Sequence, residues 1–554
     1  MKNSAIEFTN VSYQYSGTDE PVLKNVNLKI PKNSFYVIAG PIGSGKTTLL
    51  MLARGFHKEY GGDFNGQIKI LGEDTKGYDI SHLGNKVGII FQNPALQLHQ
   101  LRVIDEVMSA PIYQGLPYDQ CKRRAEKIIK QILGEEFYYK SPDELSSGQQ
   151  QKVALASCLA MKCKILLLDE PFSFLDTKAT QEVMKILLKL KKRGLTIVIA
   201  THGIEDIARY ADRMAVVDNK TIALEGLPRD ILYDDRFENI LTTNLSIKIA
   251  KTLIQNGKLK EKVVDWKELI SKIKLKRIEY NENIEKLGKA YLKINNLTYH
   301  YPETKNGISD VSFSVNKREI FGIVGHNGSG KSTLAKTLIG LVKPQDGSIS
   351  LAGNSITKMG THERARKIGY VTQDPVDMLF ESSVLEECAY GPKCFEYKDP
   401  ERKAKEILKK MNLLKYENVH PDSLSGGQKR LLSISDILVN EPEILILDEP
   451  EFGLDPKNRK MVSDVVKKLK RKGKSVVIIT QDLEVALFLC DRIGFMSRGK
   501  MVRIGRPKDI FLDYKFLHEI GLSSLPIFGI LDKINQKDLL SEDAFIKAIN
   551  ENII

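Results

Sequence analysis

Long apolar runs are missing from this chain. Its longest continuous apolar stretches, such as 165–168 and 476–479, contain only a few residues, whereas a helix that spans a bilayer needs about 20. We therefore expect that the chain is not itself a channel or permease. Residues 1–8 also include no apolar signal segment, so the sequence predicts a cytosolic location.

Cysteines are few, and their spacing matches no paired cysteine motif. No CxxC pair occurs, and no histidine stands at metal-ligand spacing from a cysteine. This pattern argues against a zinc or iron–sulfur cluster and predicts ordinary thiols in a reducing compartment. The six are Cys121, Cys158, Cys163, Cys388, Cys394 and Cys490.

Aromatic residues are scarce where positive charge is most concentrated. Residues 241–290 contain 12 Lys/Arg against six Asp/Glu, which is nearly half of the net charge of +13. Sites for single-stranded nucleic acid interleave basic side chains with aromatic ones, but few aromatics besides Trp266 occur here. The composition favours a solvated, partly helical connector over a nucleic-acid patch.

A set of motifs that the chain does contain occurs twice in the same order. Each half has a glycine-rich loop, then a glutamine, then a short Leu-Ser sequence, then an apolar run that ends in Asp-Glu. The loops are 40–47 (GPIGSGKT) and 325–332 (GHNGSGKS). A length of 554 residues fits two domains of ordinary size. The repeat predicts two nucleotide-binding modules in one polypeptide.

The residues around each loop predict an α/β fold. Apolar residues alternate near the start of each half, as in Ile6, Phe8 and Val11, which is typical of a half-buried strand. Continuous apolar runs precede each glycine-rich loop and each Asp-Glu, as expected for parallel strands buried on both faces. We therefore predict two tandem P-loop NTPase domains, each with a parallel-sheet core, an antiparallel β part and a helical subdomain.

The loops carry residue types that bind phosphate. Glycines let backbone N–H groups surround phosphate oxygens, and the following helix adds its positive end. Lys46 and Lys331 would meet the β/γ-phosphates, while Thr47 and Ser332 would meet Mg²⁺. The loop residues predicted to contact the nucleotide are Gly40, Pro41, Gly43, Ser44, Gly45, Lys46, Thr47 and Thr48, and Gly325, Asn327, Gly328, Ser329, Gly330, Lys331, Ser332 and Thr333.

An acid pair follows each late apolar run. Asp169 and Asp448 would join the Mg²⁺ shell, since α/β sheets bind ligands at the carboxyl ends of their strands. Glu170 and Glu449 would polarise the attacking water, because γ-phosphate hydrolysis depends on an aligned nucleophile. An isolated Asp-Glu pair is more often a solvated strand end; the upstream P-loop and the following proline favour a catalytic pair.

The short sequences at 145–149 (LSSGQ) and 424–428 (LSGGQ) resemble the signature of ATP-binding cassette (ABC) ATPases. In that family the signature of one domain completes the other domain's site. The resemblance therefore implies that Ser425, Gly427 and Gln428 face the phosphate held by Lys46. It likewise implies that Ser146, Gly148 and Gln149 face the phosphate held by Lys331.

The same resemblance assigns further roles. It implies that Tyr15 and Tyr301 stack on adenine, and that Gln92 and Gln373 sense Mg²⁺ and a membrane partner. It also implies that Asp176 and Asp455 lie in loops that cross the dimer interface. ATP and Mg²⁺ are the cofactors expected.

One position departs from the family pattern between the halves. His202 stands 32 residues after Glu170, where the family places a switch histidine, and Gln481 stands 32 residues after Glu449. Glutamine can hydrogen-bond a phosphate oxygen but supplies no imidazole. The second site would also receive Ser147 where the signature usually has glycine. We therefore expect a faster site at Lys46, Glu170, His202 and Ser425, and a slower one at Lys331, Glu449 and Gln481.

The resemblance covers almost the whole chain. We predict a first ABC domain at 1–240, a basic linker at 241–289, a second ABC domain at 290–515 and a helical tail at 516–554. The segments after the two glutamines (92–98 and 373–380) and the tail at 516–526 are similar to cobalt/nickel and energy-coupling-factor (ECF) importer ATPases. This implies an ATP-hydrolysing motor at the cytoplasmic face of the membrane, bound to a membrane-embedded coupling protein and a substrate-binding membrane subunit. No nucleic acid is expected.

Other members of the family remain alternatives at this stage. The main one is a soluble twin-cassette translation factor of the ABC-F type, which acts on ribosomes and also has a basic linker. Against this alternative, the linker here lacks a long charged helical hairpin. A recycling factor with an iron–sulfur domain is disfavoured because no cysteine cluster precedes the first cassette, and a fused sugar-importer ATPase is a further possibility. The cargo, a vitamin or a metal ion in the importer interpretation, is not encoded in the ATPase.

Overall fold

The computed structural model describes residues 4–18, 20–78, 80–173, 175, 177–204, 207–241, 243–274, 288–302, 306–326, 328–451, 454, 456–520, 546 and 549. It separates into two compact units, Met1–Ser271 and Lys272–Ile554. Asn327, Asp176, Asp455 and most of the predicted tail lie outside the described residues. No helix in the described part of the chain is long and apolar enough to cross a membrane.

The first unit alternates strands with helices after an antiparallel start. Its strands are β1 (Ser4–Gln14), β2 (Leu23–Pro31), β3 (Phe35–Ala39), β4 (Asp63–Ile70), β5 (Glu73–Asp74), β6 (Val87–Ile90), β7 (Ile165–Asp169), β8 (Thr196–Thr201), β9 (Arg213–Asp218) and β10 (Thr221–Gly226). Its helices are α1 (Lys46–Arg54), α2 (His57–Tyr60), α3 (Ile80–Gly84), α4 (Val103–Tyr113), α5 (Tyr118–Ile132), α6 (Ser147–Ala160), α7 (Thr177–Lys192), α8 (Pro228–Ile231), α9 (Asp235–Ile240), α10 (Leu245–Gln255) and α11 (Trp266–Lys272).

The second unit repeats this order. Its strands are β11 (Ala290–His300), β12 (Gly307–Asn316), β13 (Ile320–Val324), β14 (Asp346–Leu351), β15 (Asn354–Ser355), β16 (Ile368–Val371), β17 (Ile444–Asp448), β18 (Ser475–Thr480), β19 (Arg492–Ser497) and β20 (Lys500–Gly505). Its helices are α12 (Lys331–Leu338), α13 (Thr361–Ala365), α14 (Val384–Cys394), α15 (Pro400–Lys410), α16 (Gly426–Leu438), α17 (Pro456–Arg471), α18 (Leu483–Leu489), α19 (Pro507–Phe511) and α20 (Tyr514–Glu519).

Each unit contains a largely parallel six-stranded sheet. The strand orders are β10-β9-β3-β8-β7-β6 and β16-β17-β18-β13-β19-β20. Only the β9–β10 and β19–β20 pairs of these sheets are antiparallel. Every residue of β7 and β8 is buried, and the same is true of β17 and β18. Burial on both faces explains why these strands are continuous apolar runs rather than alternating ones.

Each unit also has a four-stranded antiparallel sheet, ordered β2-β1-β4-β5 and β12-β11-β14-β15. In β1 the apolar alternation of Ile6 and Phe8 shifts before Val11, where the strand register is irregular. All three side chains nonetheless reach the same buried cluster. Together with a packed helical cluster built on α4, α5 and α6, this confirms the predicted fold class.

The segment predicted as a linker folds onto the first unit as far as residue 271. Trp266 is buried, Asp265 pairs with Arg209 at 2.7 Å and Glu268 pairs with Arg229 at 2.8 Å. The backbone N–H of Val263 donates to the Tyr233 hydroxyl at 2.9 Å. Part of the basic excess in 241–290 therefore belongs to two packed helices, α10 and α11. Residues 275–287 lie outside the described residues.

Candidate functional site

Two glycine-rich loops link a buried strand to a helix in the same way in both units. Gly43 and Gly45 have φ angles of 78° and 100°, and Gly328 and Gly330 have 75° and 100°. Only glycine adopts this region without strain. The loop thereby turns sharply before α1 or α12 begins at Lys46 or Lys331.

The lysine of each loop is buried and held by the loop itself. Lys46 Nζ donates to the carbonyls of Gly40 and Pro41, both at 2.8 Å. Lys331 Nζ donates to Gly325 at 2.7 Å and His326 at 2.9 Å. Burial lowers the pKa of both lysines, although the neighbouring carboxylates oppose this. Each ammonium group thus lies among hydrogen-bond acceptors at the N-terminus of a helix, where a phosphate would be stabilised.

A hydroxyl inside each loop lacks a hydrogen-bond partner. Ser44 Oγ and Ser329 Oγ are buried and unpartnered among the described residues. A buried polar atom of this kind usually has a ligand or water that satisfies it. The loops therefore fit a bound phosphate group.

The predicted magnesium residues meet within each unit. Thr47 Oγ1 donates to Asp169 Oδ2 at 2.6 Å, and Ser332 Oγ donates to Asp448 Oδ2 at 3.1 Å. Asp169 Oδ1 is buried with no partner among the described residues. Hydroxyl and carboxylate oxygens suit Mg²⁺, so this donor set fits the ion.

The second acid of each pair has an unusual backbone. Glu170 and Glu449 have φ angles of 44° and 46°, in the left-handed region that non-glycine residues rarely occupy. Their N–H groups donate to Ala200 and Ile479 at 2.8 Å, which extends the strand pairing by one bond. Strain of this kind is found mostly where a side chain must be aimed.

Four donors surround the carboxylate of Glu170. It accepts from the His202 N–H at 2.8 Å, from Thr201 Oγ1 at 3.0 Å and from Ser173 Oγ at 3.4 Å, and His202 Nδ1 lies 2.7 Å away. Burial raises the pKa of Glu170, but the hydrogen bond and charge of His202, together with Lys46 and Thr201, outweigh it and lower the pKa overall. Glu170 is therefore held as a carboxylate.

The carboxylate of Glu449 accepts longer hydrogen bonds than that of Glu170, although the two backbones have the same conformation. The Gln481 N–H lies 3.3 Å and Thr480 Oγ1 lies 3.5 Å from its carboxylate, and Oε1 has no partner among the described residues. Burial raises the pKa of Glu449, and the bonds from Gln481 and the charge of Lys331 do not offset it. The two acid pairs therefore differ in electrostatics although their backbones match.

The signature residues cap a helix in each unit. Ser146 and Ser425 each accept from the backbone three residues later at 3.4 Å, while Gln149 and Gln428 bond back to the serine N–H at 2.9 Å. Such capping boxes fix the helix start. The positive ends of α6 and α16 consequently begin at the signatures. Gly148 approaches α7 so closely that a Cβ would lie 2.8 Å from Ala179.

The tyrosines and glutamines predicted at the nucleotide lie close to the loops or in exposed segments. Tyr15 OH is 3.0 Å from Thr48 Oγ1, beside the P-loop helix. The Tyr301 ring stands edge-on to Tyr299, as the Tyr15 ring does to Tyr13. Gln92 and Gln373 are both exposed.

Sequence reasoning missed three residues that surround the second acid pair. Tyr370 OH donates to Asp448 Oδ2 at 3.1 Å. Arg430 is buried and donates to the loop of Gln373, and Glu451 is buried against Thr480. In register, the first unit has Ile89, Gln151 and Phe172. Comparing the two halves position by position would have found all three.

Comparison with known proteins agrees with this geometry. The ABC transporter family matches residues 23–173 and 308–451. A protein of Methanosarcina mazei, named provisionally as an ABC transporter ATP-binding protein, is 32% identical over 94% of this chain and 92% of its own length. A Vibrio vulnificus protein with the same provisional description is 30% identical over 96% of this chain and 95% of its own.

A solved structure also resembles one cassette. It is cbiO1 from Clostridium perfringens, described as part of the ABC transporter complex cbiONQ, with 28% identity, a TM-score of 0.38, and coverage of 44% of this chain and 100% of its own. The family match extends over both units and includes both P-loops and both acid pairs. The chain belongs to the ABC transporter family and is an ATP-hydrolysing ABC-type ATPase with two cassettes.

Proposed function

We propose that this ATPase is the motor subunit of a membrane importer of the energy-coupling-factor or cobalt/nickel type, which takes up a vitamin or a metal ion. The observation that carries the proposal is a set of exposed apolar side chains beside each sensor glutamine. Leu96 and Leu101 are 75% and 86% exposed, and Val376 and Phe380 are 56% and 66% exposed. Grouped exposed apolar residues mark interaction sites.

These side chains would receive a helix of a separate membrane-embedded coupling protein. They lie within about ten residues after Gln92 and Gln373, so displacement by a docked partner would reach the glutamines that are proposed to contact Mg²⁺. The chain would then lie at the cytoplasmic face of the membrane, with a substrate-binding subunit in the same assembly. The full-length relatives, described as transporter components, support this proposal over a ribosomal role.

The nucleotide chemistry proposed follows from the residues already described. Lys46 and the P-loop N–H groups would hold the β/γ-phosphates, and Thr47, Asp169 and Gln92 would hold Mg²⁺. The ion would neutralise charge on the phosphates. Glu170 would orient the attacking water. The signature of each unit would complete the site of the other, as the family resemblance implies.

His202 gives the first site a property that the second lacks. The Glu170 carboxylate can only accept, so His202 Nδ1 donates to it at 2.7 Å. The imidazole would thereby link the water-orienting carboxylate to the γ-phosphate. Gln481 offers an amide in place of this imidazole. We infer that the site of Lys46 hydrolyses ATP faster than the site of Lys331.

Fractionation tests the importer proposal. In cells that express the native chain, we expect it to sediment with membranes and to be released by detergent, together with two membrane proteins identified by mass spectrometry. A chain in which Leu96, Leu101, Val376 and Phe380 are all replaced by serine should remain folded but lose this association. Sedimentation with ribosomes that is abolished by salt would instead support the ABC-F alternative.

A further inference from the structure

Arg430 is the largest fully buried side chain among the described residues of the chain, with 1% exposure. It lies in the second turn of α16, the helix that begins at the signature Ser425. Its Nη1 donates to the carbonyl of Thr372 at 2.5 Å, and its Nη2 donates to the carbonyl of Gln373. A buried guanidinium is costly unless its donors are satisfied; the two carbonyls satisfy Nη1 and Nη2, while Nε has no partner among the described residues. Both contacts are with the loop that carries the sensor glutamine.

The described residues of the first unit show no equivalent contact at this position. Gln151 occupies the place of Arg430, is 2% exposed, and its Nε2 has no hydrogen-bond partner among the described residues. The loop that carries Gln92 is held by bonds within itself instead. Phe91 N–H donates to Gln97 Oε1 at 2.8 Å, and Gln97 Nε2 donates to the Ile89 carbonyl at 3.4 Å. In the second unit Met378 stands in register with Gln97, and the Thr372 N–H donates to its sulfur at 3.4 Å.

Arg430 is accompanied by a second change. Glu451, where the first unit has Phe172, is a buried acid that interacts electrostatically with Arg430, and burial raises the pKa of Glu451 to about 8. The second unit therefore has a buried base and a buried acid where the first unit has Gln151 and Phe172. A guanidinium that is buried and hydrogen-bonded to two backbone carbonyls is a fixed anchor rather than a mobile surface side chain.

We propose that Arg430 is a positioning residue for the second site: it anchors the backbone at Thr372 and Gln373 to α16, and so sets the place of the Gln373 side chain. The inference rests on the proposed role of Gln373 as a Mg²⁺ contact. It makes the loop of Gln373 move with α16 through these two hydrogen bonds, whereas the described hydrogen bonds of Gln97 hold the loop of Gln92 from within.

The chain provides its own replacement for Arg430. Arg430→Gln installs the residue that the first unit buries in register, so the variant should fold, and Arg430→Gln combined with Glu451→Phe installs both first-unit residues. Arg430→Lys keeps the charge but not the planar fork that reaches two carbonyls. Gln97→Ala is the matched control, because it removes the bonds that hold the loop of Gln92 and leaves the loop of Gln373 unchanged.

Hydrogen exchange of the nucleotide-free full chain tests the anchor. In Arg430→Gln we expect amides of 372–378 to exchange about tenfold faster or more, since a hydrogen bond to a charged group is lost at each carbonyl. Phe380 and Glu381, whose N–H groups bond Glu387 at 2.7 Å, should be unchanged, as should 91–97. Gln97→Ala should reverse the pattern. Unchanged exchange at 372–378 in Arg430→Gln would overturn the proposal.

The second readout is Mg²⁺ dependence in a Glu170→Gln background, where residual hydrolysis belongs to the second site. Arg430→Gln should raise the Mg²⁺ concentration for half-maximal hydrolysis about tenfold, with Arg430→Lys between the two and the affinity for ATP little changed. Faster exchange with an unaltered Mg²⁺ requirement would contradict the positioning of Gln373. Hydrolysis that survives Glu170→Gln with Glu449→Gln would instead refute the proposed role of Glu449, and would leave the exchange result standing.

Discussion

The two units share a backbone and differ in the side chains that surround its acid pair. Glu170 and Glu449 have nearly the same φ and the same backbone bond to the neighbouring strand. Around them, however, the residues in register differ: His202 corresponds to Gln481, Phe172 to Glu451 and Ile89 to Tyr370. A duplicated fold thus preserves the backbone position of a carboxylate, while its neighbours set the direction in which its pKa is shifted. This difference is the physical basis of our proposal that the two ATP sites are unequal.

The largest effect should come from the two catalytic acids. Glu170→Gln should lower steady-state ATP hydrolysis about a hundredfold or more, the usual scale for loss of a general base. Glu449→Gln should leave it nearly unchanged, because the faster site remains. Purified variants with equal ATP binding make this comparison, and equal losses would break the asymmetry.

Giving His202 and Gln481 each other's residue type should change ATP hydrolysis less than replacing Glu170 does. His202→Gln removes the Nδ1 contact with Glu170 at 2.7 Å and should lower hydrolysis about tenfold. Gln481→His should leave the rate unchanged or raise it, since it supplies the missing imidazole. Measuring both against wild type under single-turnover conditions checks this, and a loss from Gln481→His would show that other second-unit residues set the rate.

The acid limb of the pH profile should separate the sites further. A water-polarising carboxylate must be ionised. The pKa of Glu170 is lowered overall, chiefly by His202 acting against burial, whereas burial raises the pKa of Glu449. The Glu449→Gln chain, which relies on the first site, should therefore stay active to lower pH than the Glu170→Gln chain. Coincident acid limbs in the two profiles would argue that the acids are electrostatically equivalent.

The smallest effect concerns stability rather than catalysis. Asp436 in α16 is half-buried as a residue, but both of its carboxyl oxygens are buried without a partner among the described residues, and burial raises its pKa well above the usual value. The first unit has Ser157 in register. Asp436→Ser should raise the free energy of unfolding of the second unit by about 1–3 kcal/mol at pH 7.

The sign of the pH dependence follows from linkage. The unfolded chain releases the Asp436 proton near pH 4, and the folded chain keeps it to higher pH, so wild type loses stability as pH rises above about 4. The gain from Asp436→Ser should therefore shrink towards pH 4. Thermal unfolding at pH 4 and pH 7 measures it, with Ser157→Ala as the control variant; a gain that is independent of pH would exclude this cause.

The sequence predicts the fold and the backbone of the site well because both depend on local patterns. Short continuous apolar runs such as 165–168 favour strands buried on both faces, and the glycine spacing around Lys46 and Lys331 leaves the loop little other geometry. The helical character of 245–272 is also visible as periodicity. The packing of these helices onto the first unit is not visible in the sequence, because Asp265 and Glu268 pair with arginines that lie far away in the chain.

The side chains around the acids were less predictable for a similar reason. Nothing local to Arg430 indicates that it reaches Thr372, 58 residues earlier, and nothing local to Glu451 indicates burial. Their positions become informative only when each is set against Gln151 and Phe172. The role of His202 was implied by resemblance, whereas its bond to Glu170 required the two strands β7 and β8 to be adjacent.

The most direct test of unequal sites counts ATP molecules. The chain is loaded with radiolabelled ATP at both sites without Mg²⁺, then mixed rapidly with Mg²⁺ and an excess of unlabelled ATP. We predict two phases of phosphate formation, each of about one equivalent per chain, of which Glu170→Gln removes the fast one and Glu449→Gln the slow one. A single phase of two equivalents that each variant slows alike would contradict the account.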